Sequence, residues 1–334
     1  MLHARSTFFS LSPARRRVLL GMLGVPLLLV GACNSKVSAR DLVSVTFLQL
    51  WPEHARWTAE AWDQYFGLLK TLGYREVIVQ WTAKEGGKSD WRLPDDALDK
   101  LFDAAEIHGF GVQVGLPHDD RWTEVLNSPD IERASAFFDM TSQTVRRYVD
   151  ESSCPQRNGF RGWYIPYEIE QYSWSDISRR MHLTQWLADL AATLEIKSGS
   201  VPTISTYFSQ LESTLTLEQL WSEILDATMV RPMIQDGVGV AGLENYRNLE
   251  PLRALFVQRR LKWDLIIELF EELPSEKTDG TTFHAQSAAF SRVSRQLKIA
   301  SDYGAASIVA FSADPWLIGS GRRAKALLQH WQQS

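Results

Sequence analysis

Eight short runs rich in β-branched and aromatic residues, each followed by a longer stretch of helical periodicity, constrain this chain more than any other feature. The runs are Val43 to Leu50, Glu76 to Trp81, Gly111 to Leu116, Phe160 to Tyr167, Val201 to Phe208, Ala227 to Ile234, Trp263 to Glu268 and Ser307 to Phe311. Apolar runs of this kind suit parallel strands covered on both faces, with the intervening helices as the cover. An open doubly wound sheet would show the same alternation, but eight units favour closure into a (β/α)8 TIM barrel of the α/β class.

The intervening stretches carry helix signals of their own. From Thr58 to Leu72, residues Trp62, Tyr65, Phe66, Leu69 and Leu72 form one apolar stripe, and Gly73 can end the helix in the left-handed conformation. In the next unit Asp95 can cap, Leu98, Leu101, Phe102 and Ala105 face inward, and Gly109 stops the helix. The last helix, Arg322 to Gln333, puts Leu327, Leu328 and Trp331 on one side. The longest breaks, Glu151 to Gly159 and Leu273 to Thr281, are polar and read as loops within one domain.

The first 32 residues look like a processing signal. Arg5 and Arg15 to Arg17 are basic, and Val18 to Val30 is an apolar run too short to span a bilayer. The sequence Val30-Gly31-Ala32-Cys33 then resembles a bacterial lipobox, which predicts acylation of Cys33. The expected organisation is a leader over 1–32, a lipidated cysteine and short tether over 33–41, and a barrel over 42–334. The expected location is the cell envelope, at the periplasmic face of the outer membrane, with contact to the membrane through the lipid alone. Cys154 is the only other cysteine, so once Cys33 is acylated no intramolecular disulfide is available. Removing the leader's four arginines takes the formal net charge from −5 to −9, a balance that argues against nucleic acid as a partner.

Two carboxylates close apolar strands: Glu168 in Gly162-Trp-Tyr-Ile-Pro-Tyr-Glu168 and Glu268 in Trp263-Asp-Leu-Ile-Ile-Glu268. In a barrel they fall at the C-terminal ends of the fourth and seventh strands, the face on which such folds build active sites. Glycoside hydrolysis needs two carboxyls converging across one bond, one to protonate the leaving oxygen and one to attack the sugar or activate water. The bland alternative is that each acid salt-bridges an arginine at the rim. Glu170 is a competing acid, but Glu168 adjoins the apolar run, where desolvation raises its proton affinity.

Aromatic residues supply the second clue, because sugar rings present apolar faces that stack on indole and phenol. Of the 13 tryptophans, Trp51, Trp81, Trp122, Trp174 and Trp316 lie at or just beyond strand ends, on the predicted active face. Polar groups accompany them: Gln49, Glu53, Gln80, His118, Asp119, Tyr207, Gln235, Asp236 and Asp314. These are expected to bind sugar hydroxyls or orient the acids. Competing motifs are weak. His118-Asp119-Asp120 lacks the His-x-His or His-Glu-x-x-His spacing of a metal site, and no cofactor is implied. Gly237-Val-Gly-Val-Ala-Gly242 matches a dinucleotide loop by letter, yet it lacks a clear following helix and an acidic ribose partner, and it reads as a flexible loop.

The stretches Thr46 to Pro52, Gly73 to Trp81, Val114 to Pro117 and Gly162 to Glu168 resemble a domain-of-unknown-function family of bacterial TIM-barrel proteins grouped with glycosidases. The resemblance implies the barrel and, by relationship, hydrolase activity. By position Glu168 looks like the acid/base and Glu268 like the nucleophile of the large retaining glycosidase clan. Tyr167 stands before Glu168 where that clan has asparagine, and no tyrosine closes the sixth strand. The leading expectation is an envelope glycoside hydrolase acting on a polysaccharide or oligosaccharide. The rival is a non-catalytic carbohydrate-binding barrel that assists polymer export or assembly.

Overall fold

A computed structural model describes residues 38–88, 90–274 and 284–334. The predicted leader, Cys33 and most of the predicted 273–281 loop lie outside the described residues. Eight parallel strands close into a barrel: β1 (Val43–Leu48), β2 (Glu76–Val79), β3 (Gly111–Gly115), β4 (Phe160–Ile169), β5 (Thr203–Thr206), β6 (Arg231–Gln235), β7 (Asp264–Glu268) and β8 (Ser307–Phe311). Each pairs with its neighbours in chain order, and β8 returns to β1 through Val43 opposite Ile308 and Thr46 opposite Ala310. The (β/α)8 barrel expected from the alternation is the fold of this chain, and it forms a single domain.

The outer ring is α1 (Ala59–Thr71), α2 (Asp95–His108), α3 (Ile131–Glu151), α4 (Ile177–Ser198), α5 (Leu217–Ala227), α6 (Asn245–Gln258), α7 (Phe290–Asp302) and α8 (Arg322–Gln333). Thr58 caps α1, its hydroxyl accepting the Ala61 amide at 3.2 Å, and Gly73 and Gly109 follow their helices with φ of 98° and 74°. Pro94, not Asp95, occupies the cap position of α2, so Asp95 serves the first turn through its charge at the positive end of the helix. The sixth strand starts at Arg231 rather than Ala227 because a Thr216–Gln219 capping box opens α5, which runs on through Ala227. Residues 38–41, expected to be tether, belong to the barrel's base: Ala39 is buried, and the Ser38 hydroxyl donates to Ser334 O at 3.0 Å. None of the described helices is long and apolar enough to cross a membrane.

Inside the barrel, side chains meet in levels, as strand tilt requires. At the N-terminal end Gln113 donates to Glu76 at 2.7 Å and Thr203 donates to Gln113 at 2.8 Å. At mid-height Phe47 packs edge-on against Tyr164, ring centroids 5.3 Å apart, and the Tyr164 hydroxyl bonds Ser205 at 2.8 Å. At the C-terminal mouth Gln49 donates to Gln80 and Gln235 donates to Glu168. The interior is therefore filled below the mouth, and substrate-sized space can open only above it. Two small sheets stand at the C-terminal mouth and were not legible as strands: Ala83–Glu85 with Trp91–Arg92 and His118–Asp119, and the hairpin Phe270–Glu272 with Ala285–Ser287.

Candidate active site

Glu168 owes its position to an irregularity in β4. Ile165 pairs with Ile204 and Ile169 with Thr206, so four residues of β4 advance against two of β5. Pro166 lies in this bulge, where its missing N–H costs the ladder nothing. Tyr167 turns outward, its hydroxyl accepting the Asp119 amide at 3.1 Å and donating to Pro117 O at 3.3 Å. Glu168 turns inward and accepts Gln235 Nε2 at 2.7 Å, reaching past β5 to β6. The residue is 8% exposed. Burial pushes its pKa up to about 7 against the opposing Gln235 hydrogen bond.

Glu268 ends β7, opposite Phe311 of β8, and is 5% exposed. One carboxylate oxygen accepts the Gly239 amide at 2.7 Å. Gly239 lies in the glycine-rich segment after β6, which forms a short helical turn, Val238–Ala241, opened by Gly237 at φ 62°. Helix-start amides suit an anion. That motif is thus a carboxylate cradle, a role that spacing alone did not disclose. Burial raises the Glu268 pKa, Asp236 and Glu168 raise it further, and the Gly239 amide and Arg292 oppose them. Of these influences on Glu268 the charge of Glu168 is the smallest.

The other predicted residues divide by what their polar atoms already touch. Gln235 and Tyr207 stay half-exposed beside Glu168; burial pushes the Tyr207 phenol up, with Glu170 and Glu168 next in effect. Gln49 and Gln80 form an amide pair at 2.8 Å at the ends of the first two strands. Half-exposed Trp51 meets Trp81 edge-on at 5.7 Å, and Trp81 donates to Leu50 O at 2.8 Å. Lys84, missed in the sequence, lies over both rings at 5.7 and 4.8 Å and pairs with Asp120 at 2.9 Å. His118 is buried between Trp81 and Tyr167, and burial together with Lys84 pushes its imidazole down to about 4. Asp314 is half-buried, its pKa raised by burial and then by exposed Glu53. Trp316 is buried against Phe270 at 5.4 Å.

Glu170, the competing acid, and two of the expected sugar contacts, Asp119 and Asp236, are instead engaged by donors of the protein itself. Glu170 accepts the amides of Tyr172 and Ser173 and so pins the turn after β4. Asp119 is clamped by Arg121, with bonds of 2.9 and 2.6 Å. Asp236 is wholly buried and accepts the Val238 and Glu268 amides and the Tyr246 hydroxyl. Trp122 and Trp174 also leave the expected aromatic face. Both are fully buried and pack together at 5.6 Å, within a cluster that includes Phe138 and Trp186. Strand-end position brought them to the mouth side, and apolar neighbours took them inward. Among the described residues, no group of three or more His, Cys, Asp or Glu side chains is arranged to hold a metal ion.

Known proteins share this outline at low identity. A putative alpha-L-fucosidase from Bacteroides thetaiotaomicron superposes with a TM-score of 0.66 at 17% identity, over 92% of this chain and 98% of that one. An endo-1,4-beta-mannanase from Rhizomucor miehei gives 0.56 at 10%, over 87% and 94%. A beta-galactosidase from Halorubrum lacusprofundi gives 0.56 at 11%, over 87% of this chain and 58% of that one. At such identities the likeness is one of fold. By sequence, the uncharacterized protein YbcH of Escherichia coli is 25% identical over 183 residues, which is 55% of this chain and 61% of that relative's length. The model of a domain of unknown function, DUF4434, matches residues 43–322, from the first strand of the barrel to the start of its last helix, and the chain belongs to that family.

Proposed function

We propose that the chain is a glycoside hydrolase that cuts a polysaccharide or oligosaccharide with Glu168 and Glu268. The observation that carries this reading is the pair itself: two buried glutamates from β4 and β7, each with raised proton affinity and each held by a single neutral donor. Such a pair holds a proton near neutral pH, so one carboxyl can protonate the leaving oxygen while the other attacks the sugar or activates water. Glu168 is assigned the proton-donating role and Glu268 the role of base or nucleophile. Trp51 and Tyr207 offer ring faces and half-exposed Gln235 an amide at the same mouth, beside the buried Gln49–Gln80 pair. The barrel's likeness to a putative fucosidase, a mannanase and a galactosidase agrees with the reading.

The test is release of new reducing ends when the protein from Asn34 onward meets a panel of bacterial polysaccharides. The parent is expected to cleave at least one polymer, and Glu168→Gln and Glu268→Gln to lose on the order of 10² to 10⁴ in rate. One observation favours the rival, a carbohydrate-binding barrel. The acids are largely covered, and recesses of about 490 Å³ beside α4 and α5 and about 300 Å³ beside α2 and α3 lie away from them. Binding of one polymer by parent and both variants, with no cleavage by any, would shift the assignment to that rival.

The cell envelope is the proposed location, supported by the leader-like segment ahead of Cys33. Cells fed an alkyne fatty acid should label the parent, and Cys33→Ser should abolish the label and leave the membrane fraction. Undiminished labelling of Cys33→Ser would refute the anchor.

A further inference from the structure

Asp236 stands directly after β6 and is completely buried. Its carboxylate accepts four hydrogen bonds from four parts of the chain. One oxygen takes the amides of Val238 and Glu268 at 3.2 and 3.3 Å; the other takes the Tyr246 hydroxyl at 3.0 Å and the Gln296 amide. Its carbonyl accepts Asn245 Nδ2 at 2.8 Å. One side chain thus ties together the end of β6, the turn that carries Gly239, α6, α7 and the backbone of Glu268. Among the described residues, no other acid of the mouth is bound on so many sides.

The donor set decides where charge sits. Four donors on one carboxylate favour its ionised form. Glu268 receives one, so although burial raises the proton affinity of both, Asp236 is the better stabilised of the two as an anion. The charged and titratable groups facing Glu268 are Asp236 from β6, Glu168 from β4, Arg292 from α7 and Tyr246 from α6. Those facing Asp236 also include Tyr303. Arg292 acts on both acids through its field, while its Nη2 donates to the carbonyls of Glu268 and Phe270, each at 2.8 Å.

We propose that Asp236 is a positioning residue of this site: locked by Tyr246, Gln296 and two backbone amides, it fixes the turn that grips Glu268 and supplies the negative charge against which Glu268 must ionise. The inference rests on the hydrolase reading only for its consequence in turnover. Because Glu268 acts as an anion in that reading, Asp236 sets the acid limb of the pH profile, which with Glu168 belongs to the coupled pair.

The decisive measurement is a carbon-13 titration of the Glu268 carboxyl in the folded protein, with its signal identified by its loss in Glu268→Gln. Removing a like charge lowers a neighbour's pKa, so in Asp236→Asn the midpoint should fall by about one pH unit or more. Tyr246→Phe, which removes one donor and keeps the acid, should lower it by less. Where hydrolysis is measured, the acid limb should move the same way. A purely structural role for Asp236 would lower thermal stability and leave the midpoint where it was, and that result in folded Asp236→Asn overturns the proposal. Should Asp236→Asn not fold, an unchanged midpoint in Tyr246→Phe does so instead. The titration needs no substrate, so a lowered midpoint in a protein that cleaves nothing supports the coupling and sinks only the hydrolase reading.

Discussion

Glu168→Gln should be a more stable protein than its parent above pH 7, while losing the hydrolytic activity proposed for the site. The folded pKa of about 7 lies above the ordinary value of 4.5, so the folded state binds this proton more tightly than the unfolded chain does. The stabilisation from that bound proton is complete below pH 4.5 and is lost as pH rises through 7. Across that interval the parent should lose about 3 kcal/mol on account of this residue. Glutamine keeps an oxygen that can accept from Gln235 and never ionises, so the variant escapes that loss. Urea unfolding of both proteins from pH 4 to pH 8 checks this directly: the curves should coincide at the acid end and separate by pH 8. Parallel curves throughout would mean that Glu168 titrates in the folded protein much as it does in the unfolded chain. A site acid that costs stability at working pH is the trade-off expected of a catalytic group.

Gly239→Ala should damage the site as severely without replacing either acid. A Cβ on Gly239 would stand 2.7 Å from the Phe270 ring, 2.7 Å from the Phe270 carbonyl and 2.8 Å from the Glu268 carboxylate. The carbonyl belongs to the short hairpin strand that follows β7 and has little room to retreat. The turn must therefore move, and its amide leaves Glu268. The expected result is a loss of roughly 1–3 kcal/mol in stability and at least about a hundredfold in rate, the scale of a 1 Å misplacement of a reacting group. Gly321→Ala is the matched control. Its φ is −65° and nothing lies within 4 Å of the added carbon, so it should change neither quantity beyond about 0.5 kcal/mol. Equal behaviour of the two variants would sink the view that the Gly239 amide holds Glu268.

Much of the barrel was legible because its determinants are local. Strands covered on both faces must be apolar along their length, and six of the eight runs begin within a residue of the observed strand start, from Val43 to Ser307. The start of β6 was misplaced because an apolar run cannot by itself separate the end of α5 from the next strand. At the site, Glu168 and Glu268 stood out for the same local reason, as acids closing apolar strands.

The partners of those acids were a different matter. Gln235 reaches Glu168 across an intervening strand, and the bulge at Pro166 shifts the register of β4 against β5 just before it. Asp236, Glu170 and Asp119 are strand-end polar residues like the others, yet each is consumed by protein donors that lie elsewhere in the chain or in the adjoining turn. Gly239, Arg292 and Gln296 carried no local mark of their link to Glu268. Sequence alone determined the alternation, the closure and the acids at the mouth, because hydrophobic period and strand-end position are written in neighbouring residues. Tertiary structure alone decided which polar groups are spent on the protein and which still face the opening, because hydrogen bonds between distant segments depend on register and bulges that no local pattern encodes.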